Sequence, residues 1–131
     1  MSRQMMIEPA LLSDKLIKQI LENYLVARGW DIDVSTVTDR GIDIKAKRET
    51  ASWIIRANLF KPPREGIVIS FVSVLGEILQ RMDDPSKKYS VAFPDIKPFR
   101  RLWDRLPTLA KDSMGITALF VNQTGTVNEI R

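Results

Sequence analysis

The sequence predicts an α/β fold, a mixed β-sheet flanked by helices, with elements in the order α-β-β-β-α-β-α-β-β. Three observations lead there. Segments with apolar residues at helical spacing are separated by short segments that alternate with period two. Two late strands, Tyr89 to Phe93 and Ile116 to Val121, are apolar enough to be buried, the second on both faces. Turn and breaker residues fall between these elements, and no repeat, low-complexity tract or linker interrupts them. Residues 1–131 therefore read as one domain.

The first helix starts after Ser13, a residue suited to an N-cap. Ile17, Ile20, Leu21, Tyr24 and Leu25 recur on one side, and Gly29 stops the helix just after Arg28. Three strands follow. Trp30, Ile32 and Val34 form the apolar side of the first. Asp39-Arg40-Gly41 turns the chain. Ile42 to Lys47 alternates cleanly, Arg48-Glu49-Thr50 turns again, and Trp53 to Asn58 is the third strand. Such a run reads as an antiparallel meander.

Lys61-Pro62-Pro63-Arg64-Glu65-Gly66 excludes regular structure. The second helix carries Phe71, Val74, Leu75, Ile78, Leu79 and Met82, and Asp83-Asp84-Pro85-Ser86 ends it. After the strand at Tyr89, Asp95 is placed to cap a third helix with Pro98 near its first turn. Phe99, Leu102, Trp103 and Leu106 are its inner face, Pro107 breaks or kinks it, and it resumes through Leu109, Ala110 and Met114. Asn122 to Gly125 turns the chain from the strand at Ile116 into an edge strand, Thr126 to Ile130.

Composition removes several chemistries. An apolar fraction of 44% and a charged fraction of 27% are ordinary globular values. With no cysteine there is no disulfide, thiol nucleophile or thiolate metal site. With no histidine the commonest general base and metal ligand are also missing. Ser35, Thr36 and Thr38 thus lack an activating imidazole, and the scattered glycines form no phosphate loop. Any metal site must use oxygen ligands, which favours magnesium. The N-terminus lacks the apolar stretch of a signal peptide, and no run approaches the ~18 apolar residues of a membrane span. A cytoplasmic protein without a membrane partner is expected. The formal charge of +4 is compatible with nucleic acid, and Lys45, Lys47, Arg48, Arg56, Lys61 and Arg64 concentrate it centrally.

Strand alternation places a candidate site. Ile42, Ile44 and Ala46 share one face of the second strand, and Asp43, Lys45 and Lys47 the other. Trp53, Ile55 and Ala57 share one face of the third, and Ile54, Arg56 and Asn58 the opposite one. Pairing apolar face with apolar face gathers Asp43, Lys45, Arg56 and Asn58 beside the Lys61 to Arg64 loop. Spacing alone is equally met by the solvated face of a hairpin.

Gly41-Ile42-Asp43-Ile44, a polar turn, then Trp53-Ile54-Ile55-Arg56-Ala57-Asn58 resembles the core of the PD-(D/E)xK nuclease superfamily, in which a GxD strand precedes a strand ending in ExK. The leading helix ending at Gly29-Trp30 fits that layout, which is Mrr-like. The segments Val74 to Asp84, Tyr89 to Pro94 and Leu119 to Val121 are similar to XisH-like members. The resemblance covers nearly the whole chain and implies a restriction-endonuclease-like fold. In active members an Asp and a Glu on adjacent strands hold magnesium, which activates a water and neutralises the scissile phosphate. A lysine orients the water.

Carried over by residue, the match is partial. Asp43 stands at the first acidic position, Arg56 at the Glu position and Asn58 at the Lys position. Arg56 would pair with Asp43 and repel magnesium. The helical Glu position of some members falls near Lys18, with Glu22 one turn later.

The leading expectation is a catalytically degenerate domain, with no cofactor, that binds nucleic acid, DNA in particular, through phosphates at Lys45, Arg56, Asn58, Lys61 and Arg64. One alternative is a protein-interaction or homodimerisation domain, with an apolar patch expected near Val127 or on the third helix. Another is a residual magnesium endonuclease with Asp43 as metal ligand, Lys45 as a migrated lysine, and Glu77 or Glu22 as the second carboxylate.

Overall fold

The computed structural model describes residues 13–38, 41–58 and 66–131. Helix α1 is Asp14–Ala27, capped by the Ser13 hydroxyl, which accepts from the Leu16 N–H. Its end is a Schellman motif: the Gly29 N–H donates to the Val26 carbonyl and the Trp30 N–H to that of Leu25. Gly29 takes the φ of +86° that this turn requires.

Strands β1 (Asp31–Val37), β2 (Gly41–Arg48) and β3 (Ala51–Asn58) form the expected antiparallel meander. Helix α2 (Gly66–Leu79) leads to β4 (Lys88–Pro94). Helices α3 (Lys97–Asp104) and α4 (Thr108–Met114) lead to β5 (Ile116–Val121), and β6 (Val127–Ile130) closes the far edge. One six-stranded sheet has spatial order β1-β2-β3-β4-β5-β6. The β3-β4 and β4-β5 pairs are parallel, the others antiparallel.

This order dictates the layers. Both crossovers step the same way along the sheet, so right-handed connections put α2, α3 and α4 on one face. Helix α1 is left to cover the other. Its Ile17, Ile20, Leu21 and Leu25 pack on Ile42, Ile44, Ala46, Trp53, Ile55 and Ala57, the apolar sets that alternation assigned to one face. On the opposite face Phe93 stacks on Phe71 and Phe99, with ring centroids 5.2 Å apart in both cases, and Trp103 and Phe120 complete that core.

Several expectations are corrected. A bulge at Asp33 in β1 shifts the register, so Val34 pairs with Lys45 and is exposed while Ser35 faces α1. Gly41 is not a turn residue: it opens β2 opposite Asn58, and Asp39-Arg40 lie outside the described residues. Gly66 begins α2 instead of closing a loop, and residues 61–65 of that loop are not described. On α2, Leu79 belongs to the solvent side. Asp95 does not cap α3. Its carboxylate accepts two bonds from Arg100, at 2.7 and 3.0 Å, and Ile96 is the cap residue. As expected, Pro107 splits the third helix into α3 and α4. Lys88 is the first residue of β4, with its ammonium over the Trp53 ring.

Candidate functional site

Asp43 and Arg56 are direct cross-strand partners of β2 and β3. Both project onto the face that carries α2, because their neighbours Ile42, Ile44, Ile55 and Ala57 project onto the α1 face. That polar face is not a wet hairpin surface. Helix α2 lies along β3 and buries Arg56 to 4% exposure.

A guanidinium in such a place needs charged partners, and it has two. Arg56 Nη1 donates to Asp43 Oδ2 at 2.7 Å, and Nε donates to Glu77 Oε1 at 2.9 Å. Glu77 comes from α2, the side of that helix turned inward. One turn later Arg81 anchors itself by donating from Nη1 to the Glu77 carbonyl oxygen. Its Nη2 reaches Asp43 Oδ2 at 3.3 Å, and its Nε stands 3.2 Å from Asp43 Oδ1 in an ion pair outside hydrogen-bonding geometry. Two carboxylates thus alternate with two guanidiniums, and the formal charges cancel. The Arg56 contacts are short and buried. Those of Arg81 with Asp43 are longer, and its side chain is 37% exposed.

Gly41 makes room for this arrangement. A Cβ there would lie 2.5 Å from the Ala57 carbonyl oxygen and 2.9 Å from Arg56 Cζ. Gly41 and Asp43 share a face two residues apart, so the glycine is the floor on which the guanidinium lies.

Beside the network the sheet opens into a groove of about 420 Å³ lined by Val34, Asp43, Lys45, Ile54, Gln80, Arg81, Asp83 and Lys87. Lys45 and Asp43 line it together, as alternation predicts. Lys61 and Arg64, and the side chain of Asn58, lie outside the described residues. Glu22 is on α1, on the other side of the sheet, bound by Lys18 at 2.8 Å. Burial raises its carboxyl, but the Lys18 hydrogen bond and charge, with the nearby Ser35 hydroxyl, outweigh burial and hold it below its ordinary value.

Magnesium does not fit these residues. Among the described residues no three acidic side chains converge as a metal site would need. The two carboxylates that do meet, Asp43 and Glu77, already enclose the cation Arg56.

Arg81, Lys87 and the role of Gly41 escaped the sequence. The signal for Arg81 was available: it stands four residues after Glu77, hence one helical turn further along the same side.

No protein-family model and no curated protein matches the chain. Two crystal structures share its architecture. One is an XisH family protein from Nostoc punctiforme, 14% identical, with a TM-score of 0.50 over 88% of this chain and 99% of that one. The other is an fdxN element excision controlling factor protein from Anabaena variabilis, also 14% identical, with a TM-score of 0.58 over 89% of this chain and 99% of that one. The fold is accordingly restriction-endonuclease-like, a six-stranded mixed sheet flanked by helices.

Proposed function

We propose that this chain is a catalytically degenerate nuclease-like domain that grips nucleic acid by its phosphates, DNA first of all, without cleaving it. The observation that carries this reading is the buried Arg56 guanidinium between Asp43 and Glu77. It supplies permanently, from inside the chain, the positive charge that a nuclease of this fold takes from magnesium. It offers no exchangeable water to activate, so hydrolysis has no nucleophile. The site needs no cofactor, and a cytoplasmic location would put it beside its ligand.

Binding falls to cations at the groove. Lys45 and Lys87 line it together with Arg81. Asp43 keeps Arg56 as counter-ion, so Arg81 can exchange its longer contacts with Asp43 for an incoming phosphate. Lys61 and Arg64 are proposed to extend the same contact along the backbone, and Asn58 to donate a neutral hydrogen bond. Arg56 would act on the ligand only through the network, because it is buried and its Nε and Nη1 already serve Glu77 and Asp43. Contacts of this kind position a duplex without reading its sequence.

Fluorescence anisotropy with labelled duplex and single-stranded DNA tests the reading. The three groove cations together with Lys61 and Arg64 predict a slope of about −4.5 for log K against log salt on duplex DNA. Lys45→Glu with Arg81→Glu should abolish binding without altering the far-UV spectrum. A flat salt response, or an unweakened double variant, would defeat the proposal. So would nicking of supercoiled plasmid in magnesium that Asp43→Ala removes.

A further inference from the structure

Helix α2 presents a second face that none of this uses. Val68, Ile69, Val72 and Leu79 are between 44% and 64% exposed. With Gly76 they fall within an arc of about 100° on the helix surface and form one stripe three turns long. The helix sequence Gly66–Leu79 contains a single charge, Glu77, which points inward to Arg56. The stripe is therefore wholly uncharged, an uncommon surface for a soluble fold.

Gly76 says something about what lies on it. A glycine in a helix interior is destabilising by about 1 kcal/mol relative to alanine. Nothing among the described residues requires it, since a Cβ at Gly76 would meet none of their atoms within 4 Å. The missing side chain is a hole that opens outward, and it has a use only if another surface fills it.

We infer that the occupant is a second copy of this chain, packed α2 against α2 across a two-fold axis. An antiparallel crossing level with Val74 sets Val72 of each copy over Gly76 of the other, and Ile69 against Leu79. The knob and the hole belong to the same helix at mirrored distances from the axis, which is what an isologous interface requires. A membrane surface is a poorer match. Interfacial helices flank their apolar face with Lys and Arg, and α2 has neither. The contact would bury roughly 500 Å² per copy, near the lower bound of specific interfaces, so a weak, concentration-dependent dimer is expected. Arg81 lies just beyond the end of α2, so the dimer would hold two grooves on one body.

Sedimentation velocity of the full chain over a micromolar dilution series tests this. The wild type should pass from monomer to dimer, and Val72→Glu should weaken association at least tenfold while leaving the monomer's Tm unchanged. Gly76→Ala should separate the two roles of the glycine. The helix gains, so the monomer's Tm rises by about 3 °C, while the filled hole weakens the dimer several-fold. A wild type that stays monomeric throughout overturns the inference, as does a Val72→Glu variant that dimerises like the wild type. A fall in the monomer's Tm with Val72→Glu also overturns it, because the stripe would then be covered by the chain's own residues.

Discussion

Replacing Arg56 by methionine removes the charge while keeping much of the volume. The guanidinium that is lost makes hydrogen bonds of 2.7 and 2.9 Å to two carboxylates. Breaking one partner out of a fully buried ion pair costs about 3–5 kcal/mol, because the abandoned charge stays in the protein. Two features reduce that here. Asp43 and Glu77 remain 32% and 30% exposed, and Arg81 still faces Asp43. We therefore expect a loss of about 2–3 kcal/mol, which lowers Tm by roughly 8 °C in a chain of this size. Urea unfolding of Arg56→Met, of Asp43→Asn with Glu77→Gln, and of the triple variant forms a cycle. The triple variant should recover to within about 1 kcal/mol of the wild type, since no charge is then left buried and the Arg81 that loses Asp43 is 37% exposed. Arg56→Met should also gain thermal stability on adding manganese, whereas the wild type should not. An Arg56→Met variant as stable as the wild type would refute the claim that this cation organises the site.

Other substitutions probe the framework. Gly41→Ala forces a Cβ against the Ala57 carbonyl and the Arg56 guanidinium; a loss of about 3 kcal/mol in urea unfolding is expected, against almost none for an alanine at exposed Gly125's neighbour Thr124. Ser13→Ala removes the α1 cap and should lower stability by about 1 kcal/mol in the same assay. Glu22 has a lowered folded-state pKa, so the stability it confers is fully present above the unfolded value and is lost as pH falls through the folded one. Lys18→Met should therefore flatten the decline in urea midpoint below pH 4.5, leaving the profile at neutral pH nearly parallel to that of the wild type.

Most of the fold was legible because its determinants are local. Alternation in Ile42 to Lys47 and Trp53 to Ala57 assigned side chains to faces, and that alone brought Asp43 to Arg56. Signals that depend on tertiary context were not legible. The bulge at Asp33 breaks the period without a glycine or proline to announce it, so strict alternation puts Val34 on the wrong side. Asp95 looks like a cap from sequence, but Arg100 offers its carboxylate a bidentate partner that two backbone amides do not match. The hairpin face looked solvated because sequence does not say which side of the meander the first crossover helix covers. Once α2 crosses over it, Glu77 and Arg81 arrive together, and a surface pattern becomes a buried network.

The most direct test of that network is anomalous diffraction from crystals soaked in manganese. We predict guanidinium density for Arg56 between Asp43 and Glu77 and no anomalous peak there. An ordered manganese within about 2.5 Å of an Asp43 carboxylate oxygen, with Arg56 swung aside, would contradict the account.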